Sequence, residues 1–186
     1  MSPYPKRLIE VDLPIARVSS HARREKNIRG GHLASLHIWW ARRPLAACRA
    51  VLCAALWPDP ADEQCPERFR DVAARLMASH RASRGGRTRD WSQNDELRAA
   101  LLDFIAEFAD FELSTNTEML TVARQLTEAA HESLGGEPGT RPLVLDPFAG
   151  GGAIPLEALR VGADAFAGDL NPVAAELNKV ALTYVP

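Results

Sequence analysis

The stretch that most constrains the fold is Leu143-Val144-Leu145-Asp146-Pro147-Phe148-Ala149-Gly150-Gly151-Gly152. Its apolar run predicts a buried parallel strand, and the glycines behind it predict a tight turn into a helix. Consecutive glycines carry no Cβ, so the backbone there can approach a ligand closely and can adopt positive φ. Helical pattern resumes at Ile154, Leu156 and Leu159, with Pro155 acceptable only because it falls in the first turn. Ala165-Phe166-Ala167-Gly168 predicts a second strand ending at Asp169, and another helix follows from Pro172. Strand, glycine turn, helix, strand and acidic residue is the order of a nucleoside-binding βαβ unit, where helix-start N–H groups and a carboxylate meet the ligand. The competing reading is an ordinary turn of an α/β protein. The string is not G-x-G-x-x-G, which disfavours a nucleotide-dependent oxidoreductase.

The 186 residues leave room for one domain and a little more. No apolar run approaches the roughly 20 residues of a membrane span, so no membrane partner is expected. Met1-Ser2-Pro3-Tyr4-Pro5-Lys6-Arg7 lacks the apolar core of a signal peptide. Cys48, Cys53 and Cys65 form no C-x-x-C pair. They predict buried, reduced thiols in a cytoplasmic protein rather than a metal site.

A net charge of −2 conceals an asymmetry that divides the chain into three. Residues 1–58 hold ten Lys/Arg against three Asp/Glu and read as a basic N-terminal segment with a buried helix. Residues 59–137 hold nine against sixteen and read as an acidic helical insert, its charge on solvated helix faces. Residues 138–186, with three against five, read as the start of an α/β domain. Local basic charge suits a phosphate-facing edge, although a solvated basic arm would look the same.

Taken in order, Pro14 interrupts residues 1–30 and predicts a short extended segment before a charged helix from His21 to Arg29, ended by Gly30-Gly31. Arg23, Arg24, Lys26 and Arg29 are the candidates for nucleic-acid phosphates. Next comes His37-Ile38-Trp39-Trp40-Ala41-Arg42-Arg43-Pro44, where two adjacent tryptophans are costly to leave exposed without purpose. Core packing with the arginines capping or pairing is the plain alternative. On an extended segment adjacent residues point to opposite sides, so both rings rarely enter one core. Pro44 opens an almost wholly apolar helix to about Leu56, which must be buried. In the insert, Pro66 opens a helix through Met77, His80 to Arg89 reads as a loop, Asn94 or Asp95 caps a second helix, and Thr115 or Thr117 begins a third. His80 and His131 have no companion at ligand spacing.

Four strings occur in sequence: Arg-Leu-Ile-Glu-Val-Asp-Leu-Pro from Arg7, His-Ala-Arg-Arg-Glu-Lys from His21, His-Ile-Trp-Trp-Ala-Arg-Arg-Pro-Leu-Ala from His37, and the Asp-Pro-Phe-Ala-Gly-Gly-Gly turn from Asp146. Together they resemble the N-terminal region of the DUF1156 family, large proteins described as adenine-specific DNA methylases, some associated with phage defence. The glycine turn resembles motif I of S-adenosylmethionine-dependent DNA amino-methyltransferases, and Gly168-Asp169-Leu170-Asn171-Pro172 resembles the end of their second strand. The resemblance spans about residues 6–60 and 141–186.

That resemblance implies an α/β fold: the N-terminal part of a Rossmann-like methyltransferase with a mostly helical N-terminal region and insert. It implies S-adenosylmethionine as cofactor and methyl transfer to the exocyclic amine of a DNA base, adenine foremost, with RNA as the alternative substrate. Cofactor contacts fall on Asp146, Phe148, Ala149, Gly150, Gly152, Asp169 and Asn171. A segment ahead of motif I folds back over the pocket in related enzymes, which adds Trp40 and Arg43, with His37, Trp39 and Arg42 as further candidates. Arg42 joins the nucleic-acid set. The Asn/Asp/Ser-Pro-Pro-Tyr/Phe loop that accepts the target amine is missing: Asn171-Pro172-Val173-Ala174 lacks the aromatic, and Ser2-Pro3-Tyr4-Pro5 has no strand before it. No catalytic residue or metal ligand is therefore assigned. The expectation is a portion of a longer or split enzyme, inactive alone and completed by a downstream-encoded polypeptide. The alternative is a non-catalytic nucleic-acid-binding or assembly fragment.

Overall fold

A computed structural model describes residues 4–28, 37–85, 91 and 93–184. It is mostly helical, with a small two-stranded parallel sheet near the C-terminal end, an arrangement compatible with the α/β class. Arg29 lies outside the described residues, as do Gly30, Gly31 and Ser2-Pro3.

The predicted extended start is instead helical. α1 (Leu8–Val11) is one turn, and α2 (Ile15–Glu25) begins directly after Pro14. A proline stops a helix from inside but fits just ahead of the first turn, where the missing N–H has no helical partner to lose. α3 (Leu45–Leu56) follows Pro44 in the same way. Its first orphan N–H groups, on Leu45 and Ala46, both donate to the buried carboxylate of Glu25 at 2.9 Å. That cap fixes the last turn of α2 against the first turn of α3.

α3 is the central helix, packed against α1, α2, α5, α6 and α7. α4 (Glu67–Ser83) runs past the expected end at Met77. His80 lies in this helix rather than in a loop, its ring edge-on to Phe104 at 5.2 Å and Nδ1 3.3 Å from the Glu118 carboxylate. α5 (Asn94–Phe108) starts as the pattern predicts, although Gln93 occupies the cap position. A 3-10 turn (Phe111–Leu113) leads to α6 (Thr117–Ser133), capped by Asn116 Oδ1 accepting from Met119 N–H at 3.0 Å. His131 hydrogen-bonds Thr140 and serves the chain reversal beyond α6.

All three stretches contribute to one core. Leu8 and Ala46 come from the first, Phe69, Leu101 and Leu126 from the second, and Ala158 and Val161 from the third. Each large apolar side chain covered here contributes roughly 1.5–3 kcal/mol. Trp57 is fully buried, its indole N–H donating to Thr127 Oγ1 at 3.0 Å.

β1 (Leu143–Asp146), α7 (Ala153–Arg160), β2 (Asp164–Ala167) and α8 (Pro172–Tyr184) form the predicted unit, with the second strand one residue earlier than read from the pattern. The strands pair in parallel, Leu143 opposite Asp164 and Leu145 opposite Phe166. One face packs Val144 and Ala165 against the core. The other leaves Leu143 66%, Leu145 63% and Phe166 57% exposed.

A buried ion pair ties this unit to the helices. Arg49 of α3 and Glu157 of α7 are both inaccessible to solvent, with Nε to Oε2 at 2.6 Å. The guanidinium also donates to the carbonyls of Phe108 and Asp110 and lies over the Phe108 ring. Three elements therefore meet on one cation.

Candidate functional site

The glycine turn is held from several sides. Asp146 Oδ1 accepts from Phe148 N–H at 3.1 Å, and Gly152 N–H closes on Ala149 O at 2.8 Å. Gly150 at φ 50° and Gly152 at φ 80° adopt the left-handed conformation that side chains resist. Gly150 is gripped at both ends of its backbone. Its N–H donates to Asp169 Oδ2 at 2.8 Å, and its carbonyl accepts from Asn178 Nδ2 at 2.9 Å. Asp169 Oδ1 also accepts from Asn171 N–H at 2.9 Å. The N–H donors of Asn171 and Gly150 hold the Asp169 carboxyl below its ordinary value.

Residues 37–44 lie across this turn as a strap. Arg42 N–H closes on Trp39 O at 3.2 Å, and Arg43 donates to Ala41 O at 3.3 Å. The indole of Trp39 rests on the glycines. A Cβ on Gly150 would stand 2.6 Å from Trp39 Nε1, and one on Gly151 would stand 3.0 Å from Trp39 Cβ. The missing side chains thus admit an aromatic ring of the same chain.

Strap and turn enclose a cavity of about 290 Å³. His37, Trp39, Ala41, Arg42 and Arg43 wall one side, and Asp146, Phe148, Ala149, Gly150 and Gly151 wall the other, with Leu45, Ala153 and Ile154 completing it. Beneath it Cys48 packs with Leu45, Ala153 and Leu156. Burial pushes the Cys48 thiol up to about 12 and the Cys65 thiol up to about 11, so both are protonated at neutral pH. All three cysteines are free and buried.

Five of the expected cofactor residues line the cavity: Asp146, Phe148, Ala149, Gly150 and Arg43. Four do not. Gly152 sets the turn from behind, and Asn171 Oδ1 accepts from Val173 N–H at the start of α8. The Asp169 carboxylate accepts from the N–H groups of Gly150 and Asn171, and Trp40 is 87% exposed and absent from the lining. Trp39 takes the place assigned to Trp40, and Arg42, assigned to nucleic acid, stands on the cavity wall. Arg23, Arg24 and Lys26 are exposed at the end of α2. Asn178 was not singled out in the sequence, although an amide amid the apolar α8 is a signal for a buried hydrogen bond.

The small parallel sheet, the glycine turn and the strap over it give a mostly helical chain, compatible with the α/β class, with a ligand-sized cavity at the end of its first strand. The family described as "Protein of unknown function (DUF1156)" matches residues 12–80, and over that segment the chain is similar to it. The match takes in α2, the strap, α3 and most of α4, and leaves the glycine turn outside. No curated protein and no solved structure matches the chain. Among the described residues no helix is long and apolar enough to cross a membrane, and no cluster of His, Cys, Asp and Glu suits a metal ion.

Proposed function

We propose that this chain supplies the cofactor-binding part of an S-adenosylmethionine-dependent DNA methyltransferase acting on the exocyclic amine of adenine. The observation that carries the reading is the shared cavity: the strap from the family segment and the motif I-like glycine turn wall the same space. Its groups suit a zwitterionic ligand with an apolar body. The guanidinium groups of Arg42 and Arg43 would hold a carboxylate, the Asp146 carboxylate would hold an ammonium, and Trp39 and Phe148 offer rings. At about 290 Å³ the cavity sits near the lower end of ligand pockets, roughly 300 Å³. When bound, the cofactor supplies an electrophilic methyl group. The chain's own task is to orient it through a turn whose Gly150 peptide is fixed by Asp169 and Asn178.

Asp169 acts here as a support for the turn rather than as a wall of the cavity. The amine-accepting loop would come from polypeptide that covers the bare face of the β1–β2 sheet. Calorimetry with S-adenosylmethionine and its demethylated product tests the reading. Binding is expected for the wild type and its loss for Gly150→Val, which places a branched Cβ at positive φ against Trp39. No binding by the wild type would sink the proposal. Methyl transfer from labelled cofactor to unmethylated DNA, and separately to RNA, should require the covering polypeptide. Cofactor binding without transfer in its presence would favour the assembly role.

A further inference from the structure

The strap has two sides. Trp39 faces the glycine turn, whereas its neighbours Ile38 and Trp40 are 81% and 87% exposed. The Trp40 ring centroid lies 6.5 Å from that of Trp39, with the planes 34° apart. Trp40 therefore stands at the rim of the cavity, backed by the ring that lines it. An indole left this open loses apolar stabilisation unless something covers it.

Charge selects what covers it. The strap carries Arg42 and Arg43 and no carboxylate. The carboxylates near it lie inward: Asp146 stands on the opposite wall of the cavity, away from the exposed face of Trp40, and Glu25 is buried under the α3 N-terminus. That same cap brings the last turn of α2 to this end of the molecule, with Arg23, Arg24 and Lys26 exposed. An apolar protein surface would gain nothing from such a cationic surround, whereas a base on a phosphate chain meets both requirements: a ring to stack on and cations beside it. We infer that Trp40 is a stacking platform for an unpaired base of a single-stranded or locally opened nucleic acid whose phosphates run along the basic end of α2. The inference rests on the nucleic-acid half of the proposed function and is independent of the cofactor.

The test is fluorescence anisotropy with labelled single-stranded DNA, single-stranded RNA and blunt duplex. Trp40→Ala should weaken single-strand binding by about tenfold or more, as expected for one lost base–aromatic stack, with the salt slope unchanged. Trp40→Phe should restore most of the affinity, and Arg23→Gln with Arg24→Gln should lower the slope. The melting temperature and cofactor calorimetry of Trp40→Ala should match the wild type, since its ring lines neither core nor cavity. Equal affinities for wild type and Trp40→Ala would overturn the inference, as would no single-strand binding by the wild type. Self-association by sedimentation that Trp40→Ala abolishes, with oligonucleotide binding intact, would assign the ring to a second copy and overturn it equally. A wild type that binds oligonucleotide through Trp40 but no S-adenosylmethionine would sink the cofactor reading alone.

Discussion

Among the helices, Phe69, Leu101, Phe108 and Leu126 are all covered, and the buried Arg49 charge has a carboxylate and two carbonyls around it. In the β1–β2 sheet only Val144 and Ala165 are packed, while Leu143, Leu145 and Phe166 face outward and Leu170, Val173 and Val180 nearby are exposed. Parallel sheets occur almost entirely with both faces covered, and two strands alone are marginal in water. The helical core is closed, with α7 of the strand region completing it. The strand region is finished on one side and offers the other. The candidate site lies at their junction, with packed helix on its inner side and exposed apolar side chains of the strand region nearby.

Arg49→Ala tests the tie between the two regions most severely. It leaves Glu157 buried without its main cation and should cost about 3–5 kcal/mol in urea unfolding; a loss under about 1 kcal/mol would mean that the strand region is not anchored there. Leu126→Ala, in the closed core, should cost about 2–5 kcal/mol by the same measurement. Leu145→Ser, on the bare sheet face, should stay within about 0.5 kcal/mol for the chain alone. A core-sized penalty there would show that the face is already covered in solution.

The smallest effect concerns pH. The folded Asp169 carboxyl lies below its ordinary value because of the Asn171 and Gly150 N–H groups. Its contribution is therefore present above the ordinary carboxylate range and is lost as pH falls through the lowered folded value. The stability difference between wild type and Asp169→Asn should shrink on acidification, with the Gly150 amide resonance moving in step. A difference constant down to the acid limit would remove Asp169 from the turn.

The strand–turn–helix–strand order was legible because each part obeys local rules: apolar strand, glycines at positive φ, proline in a first turn. α3 was legible for a similar reason, apolar on nearly every side behind Pro44. α2 begins six residues ahead of the charged run at His21, because Pro14 reads as a breaker in the pattern although a helix can start right behind a proline. The Glu25 cap spans twenty positions and the Arg49–Glu157 pair spans 108, so neither leaves a local pattern. Which of two adjacent tryptophans turns inward depends on the path of the strap, and the sequence marks only that they part company. The spacing of Asp169 suits a ligand, but the sequence does not show that its carboxylate also accepts from the N–H groups of Gly150 and Asn171.

The span of the Arg49–Glu157 pair bears on how the protein is made. Synthesis runs from the N-terminus, so α3 leaves the ribosome long before residue 157 exists, carrying a guanidinium whose destined carboxylate is still unwritten. Desolvating that cation early would be costly, and the nascent helices should stay loosely associated until α7 arrives. Ribosome-stalled chains ending before Glu157 should be cut readily by protease within α3, and chains extended beyond α7 should resist. The last third of the polypeptide would then act as the signal that lets the first two thirds close.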